Sequence, residues 1–393
     1  MGRTLPSATR SRGRAATSAA IALMALIALI ALIALGGCAN LKPAPRGVDY
    51  PAPLVAATRP SPAPPAAPLR EWRAAGAGLD AAYERSALLS ETFYRNADAL
   101  LRQVERSGAM GVNRGRETGA RKNGEWFIEE QRFADTVIGA GVNRNRDDLI
   151  DVGMLALEWG FAQQSADGSF PCKDNYLGAA YFVAATAHSI WLLESTGYAR
   201  NYAQRIEAIR ARLQRAALWL ADGNRSKASA AQYDRYTSRY LLTGYALGAT
   251  ARVTGNPALA ATGEDMMRTG LSKLHSSGYF PESAGFDVSF QAEAMVYGLR
   301  YYDHAATAEM RREMEAPLRR ALGWLQSRVG ANGVVQTSGN TRSGSGKERD
   351  RTGQFRRVSA VAVSRAFGLA GAVLGDNKYE ALARAVAAAR QTG

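Results

Sequence analysis

The chain has 393 residues, is 47% hydrophobic and 21% charged, and carries a formal charge of +14. That balance is globular and excludes wholesale disorder, while 3 histidines and 2 cysteines exclude a zinc-finger array or a disulfide scaffold. The cationic excess predicts attraction to something anionic, and arginine outnumbers lysine 42 to 7, a bias suited to carboxylates.

Residues 1–37 read as a secretory signal. Arg3, Arg10, Arg12 and Arg14 precede an uncharged run over 19–35 with nothing more polar than alanine. The run ends in Leu35-Gly36-Gly37-Cys38, which resembles the lipobox of bacterial lipoproteins. The resemblance implies cleavage before Cys38 and a diacylglyceryl group on its thiol. Because Ala39 follows rather than aspartate, it also implies an outer-membrane lipoprotein facing the periplasm. An uncleaved anchor is the alternative, about 17 apolar residues being at the short edge of a membrane span. Without the leader, 45 Lys and Arg stand against 35 Asp and Glu, leaving +10. Lipidation of Cys38 leaves Cys172 alone, read as a half-buried small residue or as a thiol activated by Lys173. Residues 38–68 hold nine of the fourteen prolines and predict an extended tether, so the folded domain is expected over 69–393.

A helical stretch is expected over 80–106. Two similar hexamers, at 111–116 and 141–146, read either as loops on one rim or as repeated turn chemistry. From residue 148 onward a repeat organises the chain. Helix-ending turns at Asp167-Gly168, Asp222-Gly223, Ser277-Gly278 and Asn332-Gly333 place their glycines 55 residues apart. Before each turn lies a helix with a charged stripe, such as 203–220 or 310–329. After each comes a polar loop and then a helix apolar on most faces, as at 177–194, 241–253 and 359–374, which must be buried. Hairpins of about 55 residues predict an all-α chain, an α/α toroid of about six outer–inner pairs, complete or incomplete.

In such a ring the loops before the inner helices surround a central cleft, and helix N-termini there favour anions. The candidates at those places are Asn175 and Tyr176; Arg235, Tyr236 and Arg239; Glu282, Asp287 and Gln291; and Arg356. The longer loop over 336–353, with Arg342, reads as a lid or clamp, or as a solvated loop. Asp174, Asp234 and Asp287 also suit helix caps. His188 reads as a core residue, His304 as a cation at a helix end.

The repeated hairpins, the loops Asp167-Gly168-Ser169-Phe170 and Ser277-Gly278-Tyr279-Phe280-Pro281-Glu282, and inner helices opened by Tyr or Phe resemble the α/α-toroid polysaccharide lyases and related glycoside hydrolases over residues 148–393. Alginate-lyase-like toroids use an Asn-His pair with Tyr and Arg; here Asn175 is followed by Tyr176. The resemblance implies β-elimination from a uronic-acid-containing polysaccharide. Asn175 or Gln291 would neutralise the carboxylate, and Tyr236, flanked by Arg235 and Arg239, would move the proton. Hydrolysis would need two carboxyl groups, with Glu282 the foremost acid. A non-catalytic glycan-binding or export-accessory lipoprotein is the third possibility. No cofactor, metal or nucleic acid is expected. The expected partners of a monomer are an acidic polysaccharide and, through Cys38, the membrane.

Overall fold

Helices and loops account for the fold, and among the described residues no strand forms, only isolated bridges. The computed structural model describes residues 78–115, 125–223, 225 and 233–391. The leader, Cys38 and the proline-rich tether lie outside the described residues.

The helices alternate between buried and half-buried. The buried set is α1 (Leu79–Glu84), α4 (Ala134–Arg144), α6 (Asn175–Ser195), α8 (Ser238–Thr254), α10 (Val288–His304) and α12 (Ala360–Leu374). Each is followed after a short turn by an outer helix: α2 (Ala87–Thr92), α5 (Asp147–Ala162), α7 (Ala199–Ala221), α9 (Pro257–Ser272), α11 (Ala308–Ser327) and α13 (Asn377–Gln391). A short α3 (Asp98–Leu101) follows α2. Composition explains the split. Every residue of α6 from Gly178 to Leu193 is buried, whereas α7 buries only a stripe through Tyr202, Ile206, Ile209, Leu213, Ala217 and Leu220. By length and composition α6 could cross a membrane, but its surface is enclosed by neighbouring helices.

Each buried helix packs on at least two others of the set. Helix α6 packs on α8, α8 on α10, α10 on α12, α12 on α1, α1 on α4, and α4 on α6. Outer helices lie against their own inner partners. The single helix expected over 80–106 is instead three short pieces. Ser86, in extended conformation, accepts a bond from Leu89 N and restarts the chain as α2, so a whole hairpin is compressed into 79–92.

The connections into α4, α6, α10 and α12 share one turn. At 105–109, 165–169, 275–279 and 330–334 the first residue's N–H donates to the fifth carbonyl, and the fourth N–H returns to the first. The fourth residue is Gly108, Gly168, Gly278 or Gly333, at φ +96°, +91°, +97° and +79°. Added β-carbons there would stand 2.5, 2.4, 2.7 and 2.2 Å from the carbonyl oxygens of Leu155, Arg215, Arg320 and Ala385, on α5, α7, α11 and α13. Glycine is therefore required twice over, by left-handed backbone and by contact. Gly223 does not belong to this series, since nothing lies near it and its φ is not positive, and Gly108 takes a place the even spacing did not reveal. The outer helices from α5 onward begin at 147, 199, 257, 308 and 377, at intervals of 52, 58, 51 and 69 residues. The two hexamers also part company: 111–113 is a 3-10 turn beside the loops, and 141–144 ends α4.

Candidate functional site

The long loops all precede inner helices, so they meet at the N-terminal ends of those helices. There a cavity of about 880 Å³ is lined by Asn175, Tyr176 and Tyr181 of α6, Ser238 and Arg239 of α8, and Phe290 of α10. Phe127 and Glu129 form a second wall, and Arg342, Arg349, Arg351 and Arg356 a third. Adjacent loops are stitched together: Thr237 N donates to Pro281 O, Ser283 N to Arg235 O, and Thr341 N to Phe286 O.

Asn175, Tyr176, Arg239, Arg342 and Arg356 thus reach the cavity as the sequence pattern implied. Five other candidates do not line it. Arg235 is exposed and donates to Ser283 Oγ. Tyr236 stands behind the wall, its ring under the guanidiniums of Arg342 at 4.3 Å and Arg239 at 4.5 Å.

Glu282 is fully buried, accepting from Ser238 N at 3.0 Å and pairing with Arg342 at 2.7 Å. Burial pushes its carboxyl above the usual range against the pull of Arg342. It is a loop anchor, not an open acid. Asp287 caps α10 through Ser289 N and also accepts from Arg342 N, Ser343 N and Ser343 Oγ. Gln291 accepts from Phe280 N and donates to the carbonyls of Gly278 and Ala321, clamping the glycine turn to α11. Gln131 repeats that clamp with Met110 N, Gly108 O and Ala156 O. Both roles expected of Asp287 and Gln291 at a ligand are therefore replaced by structural ones. Asp234, unlike Asp287, is no cap; it pairs with Lys273 at 2.8 Å.

The cavity's cations differ in one respect. Arg342 is held by Glu282 and Glu348, at 2.7 and 3.0 Å. Arg351 crosses to Glu129 and to Glu130, the latter at 3.0 Å. The loop over 336–353 therefore clamps onto acids of the protein itself. Arg239 is only 8% exposed, forms no ion pair among the described residues, and leaves Nη1 without a hydrogen-bond partner. A buried guanidinium served only by an aromatic face is unfavourable unless an anion joins it.

Sequence reasoning missed the cavity wall that carries Glu129. Glu129 lies in the 3-10 segment Ile128–Phe133 and pairs with both Arg132 and Arg351. Burial raises its pKa, but the two guanidiniums outweigh burial and hold it low. Arg132 lies 4.4 Å over the ring of Tyr181, and both act electrostatically on Glu293 of α10. For Glu293 burial prevails over Arg132 and the carboxyl is pushed up. The available signal was Glu293 itself, an acid inside a helix otherwise apolar on most faces.

Further along the same helices lies a largely buried ionic cluster. His188 Nε2 is 2.9 Å from Asp80 Oδ2, and its Nδ1 is 2.5 Å from Asp135 Oδ1. Arg300 approaches Asp80 at 3.2 Å, Glu84 at 3.1 Å and Asp135 at 3.3 Å, and Arg365 approaches Glu84 at 3.4 Å. Burial and Arg300 push His188 down, yet Asp135 and Asp80 outweigh them and lift it to about 9. Asp80, Glu84 and His188 could each offer an atom to a metal, but Arg300 already sits on the same carboxylates, so the donor set suits a closed ionic cluster. His304 is not the cation expected at a helix end. Burial lowers it to about 4 and it stacks on Trp191 at 4.0 Å.

No protein-family model matches the chain, and no curated protein matches it in sequence. Among solved structures, a glycosyl hydrolase family 88 protein from Bacteroides vulgatus is similar at 9% identity and TM-score 0.48, covering 75% of this chain and 84% of that one.

Proposed function

We propose that this chain is an enzyme that cleaves an acidic polysaccharide in the cavity at the inner-helix N-termini, on an α/α toroid whose six hairpins close through α1. The observation that carries the reading is Arg239, a buried guanidinium with no ion pair among the described residues, which lines a cavity together with further arginines and Phe127, Tyr176, Tyr181 and Phe290. Aromatic faces suit sugar rings and a lone guanidinium suits a carboxylate or sulfate. Asn175, at the first turn of α6, adds an amide to the same wall. Binding of polygalacturonate, alginate and hyaluronan, with dextran as neutral control, tests it by calorimetry together with release of reducing ends. At least one acidic polymer is expected to bind and be shortened, with Arg239→Ala weakening it about 10- to 100-fold, the range of a lost charged hydrogen bond. Unchanged affinity in that variant, or equal binding of dextran, would refute the reading.

A second reading, β-elimination with Tyr236 moving the proton, is favoured by the two guanidiniums that flank its ring. It predicts an ultraviolet-absorbing unsaturated product, lost in Tyr236→Phe. The non-catalytic alternative predicts binding without shortening.

The protein is further proposed to be an outer-membrane lipoprotein on the periplasmic face, held through Cys38. Metabolic palmitate labelling that persists in Cys38→Ala would defeat this.

A further inference from the structure

Resting on the acidic-glycan reading, the cavity wall that carries Glu129 supports a more specific one. We infer that Glu129 and Glu293 are the base and the acid of a hydrolytic centre, joined by Arg132 and Tyr181, and that the substrate is cut by water rather than by elimination.

Glu129 lines the cavity directly, as do Tyr181 and Phe290. Glu293 lies three residues, one helical turn, below Phe290 on α10. Its neighbours Gln291, Ala292, Ala294 and Met295 are buried, while Glu293, Val296 and Tyr297 retain partial exposure, so α10 keeps an accessible strip one to two turns beyond Phe290, which lines the cavity. The two carboxyl groups come from segments far apart in sequence and share a neighbour: Arg132 pairs with Glu129 and lies over the ring of Tyr181, and Arg132 and Tyr181 both pull the Glu293 carboxyl down against its burial.

Their surroundings are unequal. Glu129 has two guanidiniums, from Arg132 and Arg351, and is held ionised. Glu293 has no ion pair among the described residues, and its burial favours the protonated form. Two carboxyls driven apart in this way are what acid–base hydrolysis of a glycosidic bond needs. An independent sign that the cavity takes a charged ligand is Arg239, more than nine-tenths buried with Nη1 unpartnered in the same lining.

The chemistry balances without a co-reactant other than water. Glu293 gives its proton to the glycosidic oxygen as the bond to the anomeric carbon breaks. A water oxygen bonds to that carbon, and Glu129 takes the water's proton. Proton exchange with solvent then returns each carboxyl to its starting form. Arg351 pairs with Glu129, and an anionic sugar that draws Arg351 away uncovers the base.

The test uses the full chain with whichever of polygalacturonate, alginate or hyaluronan it shortens. Glu293→Gln and Glu129→Gln are expected to lower kcat at least about 100-fold, the usual contribution of a positioned acid or base, with KM and melting temperature near wild type. In wild type, activity falls on the alkaline side as Glu293 deprotonates and on the acid side as Glu129 protonates. Glu293→Asp, which keeps a carboxyl, is expected to restore part of the rate. Carbon-13 titration of the Glu293 carboxyl in wild type remains informative if a variant fails to fold, and an ordinary carboxylate pKa there would overturn the assignment. So would Glu293→Gln retaining wild-type kcat, or products that absorb in the ultraviolet as unsaturated uronides. Binding of an acidic polymer without any new chain ends would overturn the hydrolytic pair and leave the acidic cleft standing. No binding at all would overturn both.

Discussion

Replacing His188 by glutamine tests the buried ionic cluster most directly. In the folded chain His188 is lifted to about 9 from the ordinary 6.5, a difference of about 2.5 units and roughly 3 kcal/mol. A raised pKa means the folded state holds the proton more tightly. That stabilisation is complete below about pH 6.5 and is lost as pH rises through about 9. The groups facing His188 leave this window clear. Asp80 is held well below its usual range, Asp135 is held at about 2, Arg300 and Arg365 stay charged, His304 is neutral above about 4, and Tyr245 is pushed up by burial. Asp303, which accepts from Leu79 N and Asp80 N and is raised to about 6, acts at lower pH. Urea unfolding of wild type is therefore expected to lose about 3 kcal/mol between pH 6.5 and 10. His188→Gln is expected to lack that slope and to be about 3–5 kcal/mol less stable at pH 6.5, where a buried charge has lost its partner. Parallel pH dependences in the two proteins would refute the argument.

Other expectations follow from single contacts. Gln291→Leu removes three hydrogen bonds and leaves their backbone partners bare, so unfolding should cost about 3 kcal/mol less while affinity for an acidic polymer is unchanged. Gly278→Ala, colliding with Arg320 O, should destabilise by at least about 2 kcal/mol more than Gly255→Ala, because Gly255 has positive φ but open space; comparable melting temperatures would contradict the docking of the turn. Arg351→Ala removes one of two cations beside Glu129 and should raise its pKa by about one unit or more, moving the acid side of the activity profile to higher pH.

The helices were legible because burial on most faces leaves an unbroken apolar record, as in α6 and α8. Their N-terminal residues Asn175, Tyr176 and Arg239 were legible for the same reason: once the helix start is placed, the cavity wall is placed with it. Asp287 and Gln291 misled because polar side chains near a helix start have backbone groups to satisfy, a purely local need that looks like ligand chemistry in one dimension. Glu129, Arg132 and Glu293 escaped because their meaning lies in a pairing across more than 150 residues, which spacing does not record. Gly223 shared the even interval without sharing the turn, so equal spacing was a weaker guide than the contact each glycine makes.

Every inner helix except α8 contributes a charge to the cluster around His188, and α8 contributes Tyr245, bonded to His304. The carboxylates of Asp80 and Glu84 enter first during synthesis, whereas Arg300 and Arg365 arrive some 220 and 280 residues later. A nascent chain therefore cannot bury α1 at a tolerable electrostatic cost until its C-terminal third exists. Such a chain stays unlocked until Arg300 and Arg365 have both been made, and a copy truncated before Arg365 should never lock.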